Sequence, residues 1–388
     1  MIELRDYQQR AKDQFFTNNK RGTFLYATGT GKTEVAIGII KQYLETYPQN
    51  KILFLVPRIS LVEQTQERLS KYGFNSSMYY SLSKDLTNQI IVSTYQSISK
   101  MMDILPQFHF IIFDEVHLAS DYAEVYRKIM IEGHKAHKDM LALTATIDKS
   151  NYERYGTILT RCPLLSEITL TSAIDNGYLT KVVIEDQSVS LSFEGKTEYD
   201  DLSQTIRRIS DYFGTSNPRD ILAYLKQGDK NAAIYFKAVQ RRKLIMEYNE
   251  EKINKTVSLI KNFNNEQTII FTERTATLEL LKEKLGDQFE YITAKTGKKK
   301  RQEILNNFGK TFSIIGTVHT LDIGYDVPNL RHGIIIASNK NDTTIVQRVG
   351  RLVRKSEGKT IAHICVIYAK GTHEVMTFRK IKGLVNNG

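Results

Sequence analysis

Residues 24–37 read FLYATGTGKTEVAI, which sets Thr28, Gly29, Thr30, Gly31, Lys32 and Thr33 between an apolar run and the start of a helical pattern. Glycines in such a turn let backbone N–H groups approach phosphate oxygens, and the helix N-terminus adds a favourable dipole. A lysine at this place reaches β- and γ-phosphates, and the threonine after it can ligate Mg²⁺. A plain strand-to-helix turn would also use glycine, so the stretch needs partners elsewhere in the chain. Tyr26 stands where the loop consensus has its first glycine. A tyrosine does not take a glycine-only backbone conformation cheaply.

Two other stretches supply such partners. In IIFDEVH (111–117), Asp114 and Glu115 end an apolar run, at the kind of sheet edge where ligands collect in open α/β folds. One carboxylate can hold Mg²⁺ through its waters while its neighbour polarises an attacking water. In VQRVGRLVRK (346–355), Arg348, Arg351 and Arg354 recur every third residue and share one side of a helix or turn. That spacing suits a solvated face. It equally suits arginine fingers that stabilise charge on a transferring γ-phosphate.

The elements that would position these groups are short, nearly continuous apolar runs, as expected of strands buried on both faces of a parallel sheet. They fall at 23–27, 51–56, 89–93, 110–114 and 141–145 in the first half, and at 267–272, 289–293, 312–317, 332–338 and 361–369 in the second. Amphipathic stretches such as TEVAIGIIKQYLE and SLVEQTQERLSKY lie between them. The pattern predicts an α/β chain with two similar domains, each a mainly parallel sheet flanked by helices. From about 173 to 262 the chain is rich in charge and helix formers, with KVVIED (181–186) as its one strand signal.

Composition narrows the classes. The 388 residues carry ordinary hydrophobic (41%) and charged (25%) fractions, which fits a globular protein of two domains. The charged first twenty residues lack the apolar core of a signal peptide, and no apolar run is long enough to span a bilayer. Cys162 and Cys365 form no metal or redox spacing, so a reducing, cytoplasmic setting is expected. The formal net charge of +11 suits a polyanion partner, because each basic group meeting a phosphate releases counterions.

Taken in chain order, these motifs resemble those of a superfamily-two helicase or translocase over nearly the whole length. LRDYQQRA resembles the adenine-reading Q motif and ATGTGKT motif I. LVPRISLVEQ resembles motif Ia, STYQSI motif Ib, DEVH motif II and TAT (144–146) motif III. IIFT, LDIGYDVPNL and QRVGRLVR follow as motifs IV, V and VI. The DEVH form and the GYDVP segment look closer to the DNA repair, recombination and restriction branches of UvsW, XPB and the type I restriction motors than to DEAD-box RNA helicases.

The resemblance implies two RecA-like domains, an N-terminal ATP-binding one over 1–168 and a C-terminal helicase one over 169–388, with a helical junction at about 173–262. It implies ATP and Mg²⁺ as cofactors. Arg5, Gln8, Gly324 and Asp326 would join the phosphate loop in holding nucleotide. Thr33 and Asp114 would hold the metal, Glu115 would be the base, and Lys32, Arg351 and Arg354 would act on the phosphates. Arg58, Gln64, Thr94 and Gln96 would face nucleic acid, and His117, Thr144, Thr146, Gln347 and Arg348 would couple the two sites. The implied activity is a 3′-to-5′ DNA helicase or branch-migrating translocase in repair, recombination or replication. Its partner would be single-stranded, forked or branched DNA, with a protein partner supplying specificity. An RNA-dependent ATPase and an ATP-switched clamp that never separates strands are the alternatives.

Overall fold

The computed structural model describes residues 2–318, 330–337, 349–350, 352–356 and 358–386. The first sheet holds β1 (Arg21–Tyr26), β2 (Ile52–Val56), β3 (Ser76–Tyr80), β4 (Ser83–Lys84), β5 (Ile90–Thr94), β6 (Phe110–Asp114), β7 (Asp139–Thr144) and β8 (Leu164–Ile168). Their spatial order is β4-β3-β5-β2-β6-β7-β1-β8, parallel throughout except for the β3–β4 pair. The second sheet holds β9 (Lys181–Val189), β10 (Thr268–Thr272), β11 (Phe289–Ile292), β12 (Ile314–Val318), β13 (His332–Ile336) and β14 (Ile361–Ala369). It is parallel at every pair, in the order β11-β12-β10-β13-β14-β9.

The apolar runs become strands because each must bury side chains on both faces. In β2, Ile52, Phe54 and Val56 enter one core layer while Leu53 and Leu55 enter the other, the two-residue alternation of a pleated strand. The first layer is closed by α1 (Asp6–Thr17), α2 (Lys32–Thr46) and α3 (Ile59–Lys71), whose buried positions include Phe15, Ile40 and Leu69. The second is closed by α4 (Tyr95–Ser99), α5 (Glu124–Lys135) and α6 (Tyr152–Arg161). A short helix, α7 (Leu170–Asp175), packs Leu170 and Ala173 into the core of the second sheet.

All ten apolar runs lie on strands of the two sheets, within a few residues of the expected ends. Besides β9, three described strands carry no such run. β3 begins with Ser76 and Ser77, and Ser77 Oγ accepts hydrogen bonds from Asn88. β4 is two residues long, and β8 (LLSEI) is a partly exposed edge strand paired only to β1. Edge and polar-satisfied strands do not need continuous apolar sequence, which is why periodicity passes over them. The KVVIED signal is the start of nine-residue β9, which pairs with β14 along its length at the edge of the second sheet.

Between β9 and β10 the chain is helical: α8 (Phe193–Phe213), α9 (Pro218–Lys226), α10 (Lys230–Glu247) and α11 (Glu250–Asn262). Each starts where a polar side chain takes up a free backbone N–H: Ser192 from Gly195, Asn217 from Arg219, Asp229 from Ala232 and Asn249 from Glu251. Ile209, Ile221, Ala232 and Tyr235 give α8–α10 a small core of their own. Further α-helices among the described residues include α12 (Thr275–Leu285), α13 (Lys298–Asn307) and a C-terminal helix, Glu374–Asn386.

A buried ion pair closes the second core. Lys252 Nζ on α11 donates to Glu374 Oε1 at 2.6 Å and to the Ala337 carbonyl at 2.9 Å, and Glu374 Oε2 accepts from the Ala369 N–H at 2.8 Å. The pair thereby ties the ends of β13 and β14 to two helices. Burial pushes the Lys252 ammonium pKa down and the Glu374 carboxyl pKa up, each held back by its partner. Lys252→Met strands a buried carboxylate and is expected to cost roughly 3–5 kcal/mol. Adding Glu374→Leu should return part of that loss. Denaturant unfolding decides, and a single variant as stable as the parent would remove the pair's structural role.

Candidate active site

All the neighbours from β5 across to β1 run parallel, so their carboxyl ends share one edge, in the order β5, β2, β6, β7, β1. Thr94 ends β5 opposite Val56 of β2, two residues before Arg58. Asp114 ends β6 opposite Leu143, and Thr144 ends β7 opposite Leu25. Beyond β1 lies the glycine loop.

The loop has the backbone that glycine permits. Gly29 has φ 89° and Gly31 φ 86°, and Gly31 caps α2 in the left-handed region. A Cβ on Gly31 would meet Gln8 Nε2 at 2.4 Å. Gln8, 3% exposed, donates to the Thr30 carbonyl at 3.2 Å and to that of Gly31 at 3.1 Å. Tyr7 also donates to the Thr30 carbonyl. Thr30 Oγ1 turns back to the Ala27 carbonyl at 2.7 Å, and Thr33 stands in the first turn of α2. Tyr26 costs the loop nothing, because it is the last residue of β1 rather than a turn residue. Its ring is buried against Phe24 and Tyr7, and its carbonyl accepts from Lys32 Nζ at 3.0 Å.

The carboxylates sit in the middle of the edge. Burial and the adjoining Glu115 charge push Asp114 up to about 7, with the Lys32 ammonium pulling the other way. Asp114 Oδ1 accepts the Glu115 N–H at 3.0 Å. Glu115 adopts φ 50°, ψ 47°, an uncommon conformation for a side-chain-bearing residue that costs on the order of 1–3 kcal/mol. Its Oε2 lies 3.4 Å from His117 Nδ1, which is 3.1 Å from Thr144 Oγ1. Thr144 Oγ1 in turn accepts the Thr146 N–H at 3.1 Å. Burial lowers the His117 pKa, against the pull of Glu115. His117, Thr144 and Thr146 are thus joined by contacts at 3.1 Å, with Glu115 Oε2 beside the imidazole but not hydrogen-bonded among the described residues.

Residues of the second half meet the loop. A Cβ on Gly29 would lie 3.0 Å from Arg354 Cγ, and one on Gly350 would lie 2.5 Å from Thr28 Cβ. Arg354 therefore reaches the loop. Gln347, Arg348, Arg351, Gly324 and Asp326 lie outside the described residues. Arg5 packs over the Tyr178 ring and donates to the Tyr178 carbonyl at 3.4 Å, just ahead of β9. At the other end of the edge, Arg58 precedes α3, Gln64 is partly exposed on α3, and Gln96 is exposed on α4. Thr94 is buried, and its hydroxyl caps α4 through the Ser97 N–H at 3.1 Å. Lys298 of α13 faces this end, 2.7 Å from Glu63 of α3.

The residues present fit a nucleotide and a divalent cation. Thr28 Oγ1 and Thr146 Oγ1 are buried without a hydrogen-bond partner among the described residues, and the buried Asp114–Glu115 pair favours a cation. Tyr7, Tyr95 and Tyr178 carry no chemical signal in the sequence. Tyr7 and Tyr95 adjoin residues that do, but a tyrosine in an amphipathic helix ordinarily reads as core.

Residues 1–149 match the family described as type III restriction enzyme, res subunit, and residues 251–356 match the helicase conserved C-terminal domain. The chain belongs to the superfamily-two helicases and translocases. It is an ATP-hydrolysing enzyme of that superfamily. It is 28% identical to the DNA 3′-5′ translocase XPB2 of Sulfurisphaera tokodaii, over 98% of this chain and 84% of that one. It is 24% identical to the ATP-dependent DNA helicase uvsW of Enterobacteria phage T4, over 94% of this chain and 68% of that one. The helicase domain of Pyrococcus furiosus Hef shares the fold, with a TM-score of 0.63 at 18% identity over 98% of both chains.

Gly31→Ala brings a Cβ into a left-handed turn already filled by Gln8. It is expected to weaken ATP binding by roughly tenfold or more, given about 1–2 kcal/mol of backbone cost alone. Titration with a fluorescent ATP analogue checks this, and unchanged affinity would mean the loop does not need its glycine.

Proposed function

We propose that the protein is an ATP-driven DNA translocase or helicase serving repair, recombination or replication. The observation that carries the reading is the order of groups along one sheet edge: Arg58 and Gln96, then Asp114 and Glu115, then Thr144, then the glycine loop. Nucleic acid would occupy one end and nucleotide the other, with the carboxylates between. The charge of +11 and the DNA-acting relatives support DNA as the polymer. Among the described residues no helix is long and apolar enough to cross a membrane.

Bound ATP·Mg²⁺ would supply the γ-phosphoryl group and a cation that offsets its charge. Lys32 and the loop N–H groups hold the phosphates in this scheme, while Thr33 and Asp114 hold the metal. Gln8 and Arg5 fix the adenine side, and Gly324 and Asp326 complete the nucleotide contacts. Glu115 takes the proton of the attacking water. Arg354, with Arg351, stabilises charge on the phosphoryl group from the second half. His117, Thr144 and Thr146 pass the state of the carboxylates along the edge, and Gln347 and Arg348 would share in that coupling. Arg58, Gln64 and Gln96 grip the nucleic-acid backbone, which gives little sequence preference, while buried Thr94 holds the start of α4 through its cap. The domain division is 1–168 and 169–388, and a protein partner would supply specificity.

ATP turnover measured with single-stranded, duplex, forked and four-way DNA and with RNA tests this. Stimulation by forked or four-way DNA is expected, with strand displacement following. Stimulation by RNA alone would overturn the choice of polymer, and stimulation by DNA without displacement or translocation would make it a clamp. Lys32→Ala should abolish turnover, whereas Glu115→Gln should bind ATP yet hydrolyse it at least a hundredfold more slowly, the scale for a lost general base. Near-full activity of Glu115→Gln would mean another group is the base.

A further inference from the structure

One hydrogen bond crosses the edge between the two ends of the site. Tyr95 follows Thr94 at the end of β5, while Asp114 ends β6, and β2 lies between these strands. The side chain and its hydrogen bond together therefore reach past β2 to the end of β6. Its hydroxyl donates to the Asp114 carbonyl at 2.8 Å. The ring is fully buried, 5.2 Å from that of Tyr126 and 6.3 Å from that of Phe113.

That carbonyl belongs to the peptide plane whose N–H is Glu115's, and the N–H is bonded to Asp114 Oδ1 at 3.0 Å. Both ends of the plane are thus fixed, one by the Tyr95 hydroxyl and one by the Asp114 carboxylate. Immediately after it comes Glu115 in its left-handed conformation. Such a conformation persists only where its surroundings over-determine it. Without its donor the part-buried carbonyl also loses this hydrogen bond. On the other side, Tyr95 is flanked by Thr94 and by exposed Gln96, the latter assigned above to nucleic acid.

We propose that Tyr95 is a positioning residue: its hydroxyl holds the Asp114–Glu115 peptide plane and makes the aim of Glu115 depend on the nucleic-acid-facing segment 94–96. The proposal rests on the motor reading above. Phenylalanine would fill the same space, so packing alone does not call for the hydroxyl. A movement of the 94–96 backbone on binding nucleic acid draws on the Asp114 carbonyl and turns the plane that aims Glu115. The ATPase would thereby sense an occupied cleft without either ligand touching the other.

Tyr95→Phe keeps the ring and removes only the bond, and Tyr126→Phe serves as the neighbouring comparison. The readouts are kcat and KM with and without DNA, affinity for a fluorescent ATP analogue, and melting temperature. Tyr95→Phe is expected to lower DNA-stimulated kcat by roughly tenfold or more, the scale for a slightly misaimed group. Its stimulation factor should fall toward one, with nucleotide affinity and melting temperature close to the parent's. Retained stimulation would overturn the proposal. So would a loss of kcat matched by equal losses in nucleotide affinity and melting temperature, or by Tyr126→Phe. If no nucleic acid stimulates the parent, the motor reading fails separately. The coupling claim then falls with it, and the unstimulated kcat of Tyr95→Phe decides whether the hydroxyl positions Glu115.

Discussion

Parallel pairing is the constraint on which the rest depends. Strands that run the same way deliver all their carboxyl ends to one edge, and each end must turn away from the sheet there. In this chain that edge collects Thr94, Arg58, Asp114, Thr144 and the glycine loop from segments far apart in sequence. Their order across the sheet differs from their order in the chain, because crossovers place β5 beyond β2 and β1 beyond β7. Groups that would bind different ligands are therefore a few strand spacings apart on a rigid base.

The electrostatics follow from that placement. Asp114 and Glu115 are brought together at one turn, where burial and the adjoining Glu115 charge both disfavour the ionised form of Asp114. Lys32 supplies the largest compensating positive charge on Asp114 and is held meanwhile on the Tyr26 carbonyl. The backbone strain at Glu115 sits at the same turn as the electrostatic strain. Such coincidence is expected where a group must be aimed rather than merely buried.

The two halves of the chain meet the edge from one side. Gly350 and Arg354 pack on Thr28 and Gly29, and Lys298 pairs with Glu63 at the other end. A third contact is made by the helical segment that follows β9, where Arg219 of α9 stacks over Tyr122, whose ring also receives Arg154. Beside these polar contacts the apolar layers continue from one half to the other: Ala27 joins the core of the second sheet, and the Tyr178 ring lies 4.5 Å from that of Tyr7.

Much was legible in the sequence by itself. The apolar runs read as buried parallel strands because they are short and alternate with helical stretches, and the glycines and Lys32 read as the opening of a helix. Asp114 and Glu115 had to stand at a strand end because the apolar run stops there. What periodicity does not carry was decided only by tertiary structure. Edge strand β8 and the serine-led β3 are held by pairing and side-chain hydrogen bonds rather than by their own hydrophobicity. Tyr26 fits in place of a glycine because that position falls inside β1, a matter of where the strand ends rather than of residue type. Tyr95 reads as an ordinary core aromatic until the strand order sets β2 between it and Asp114. Sequence gives the chemistry of each group and the period of its element. Which groups share an edge depends on crossovers, and those are fixed only when the whole sheet closes its two apolar layers.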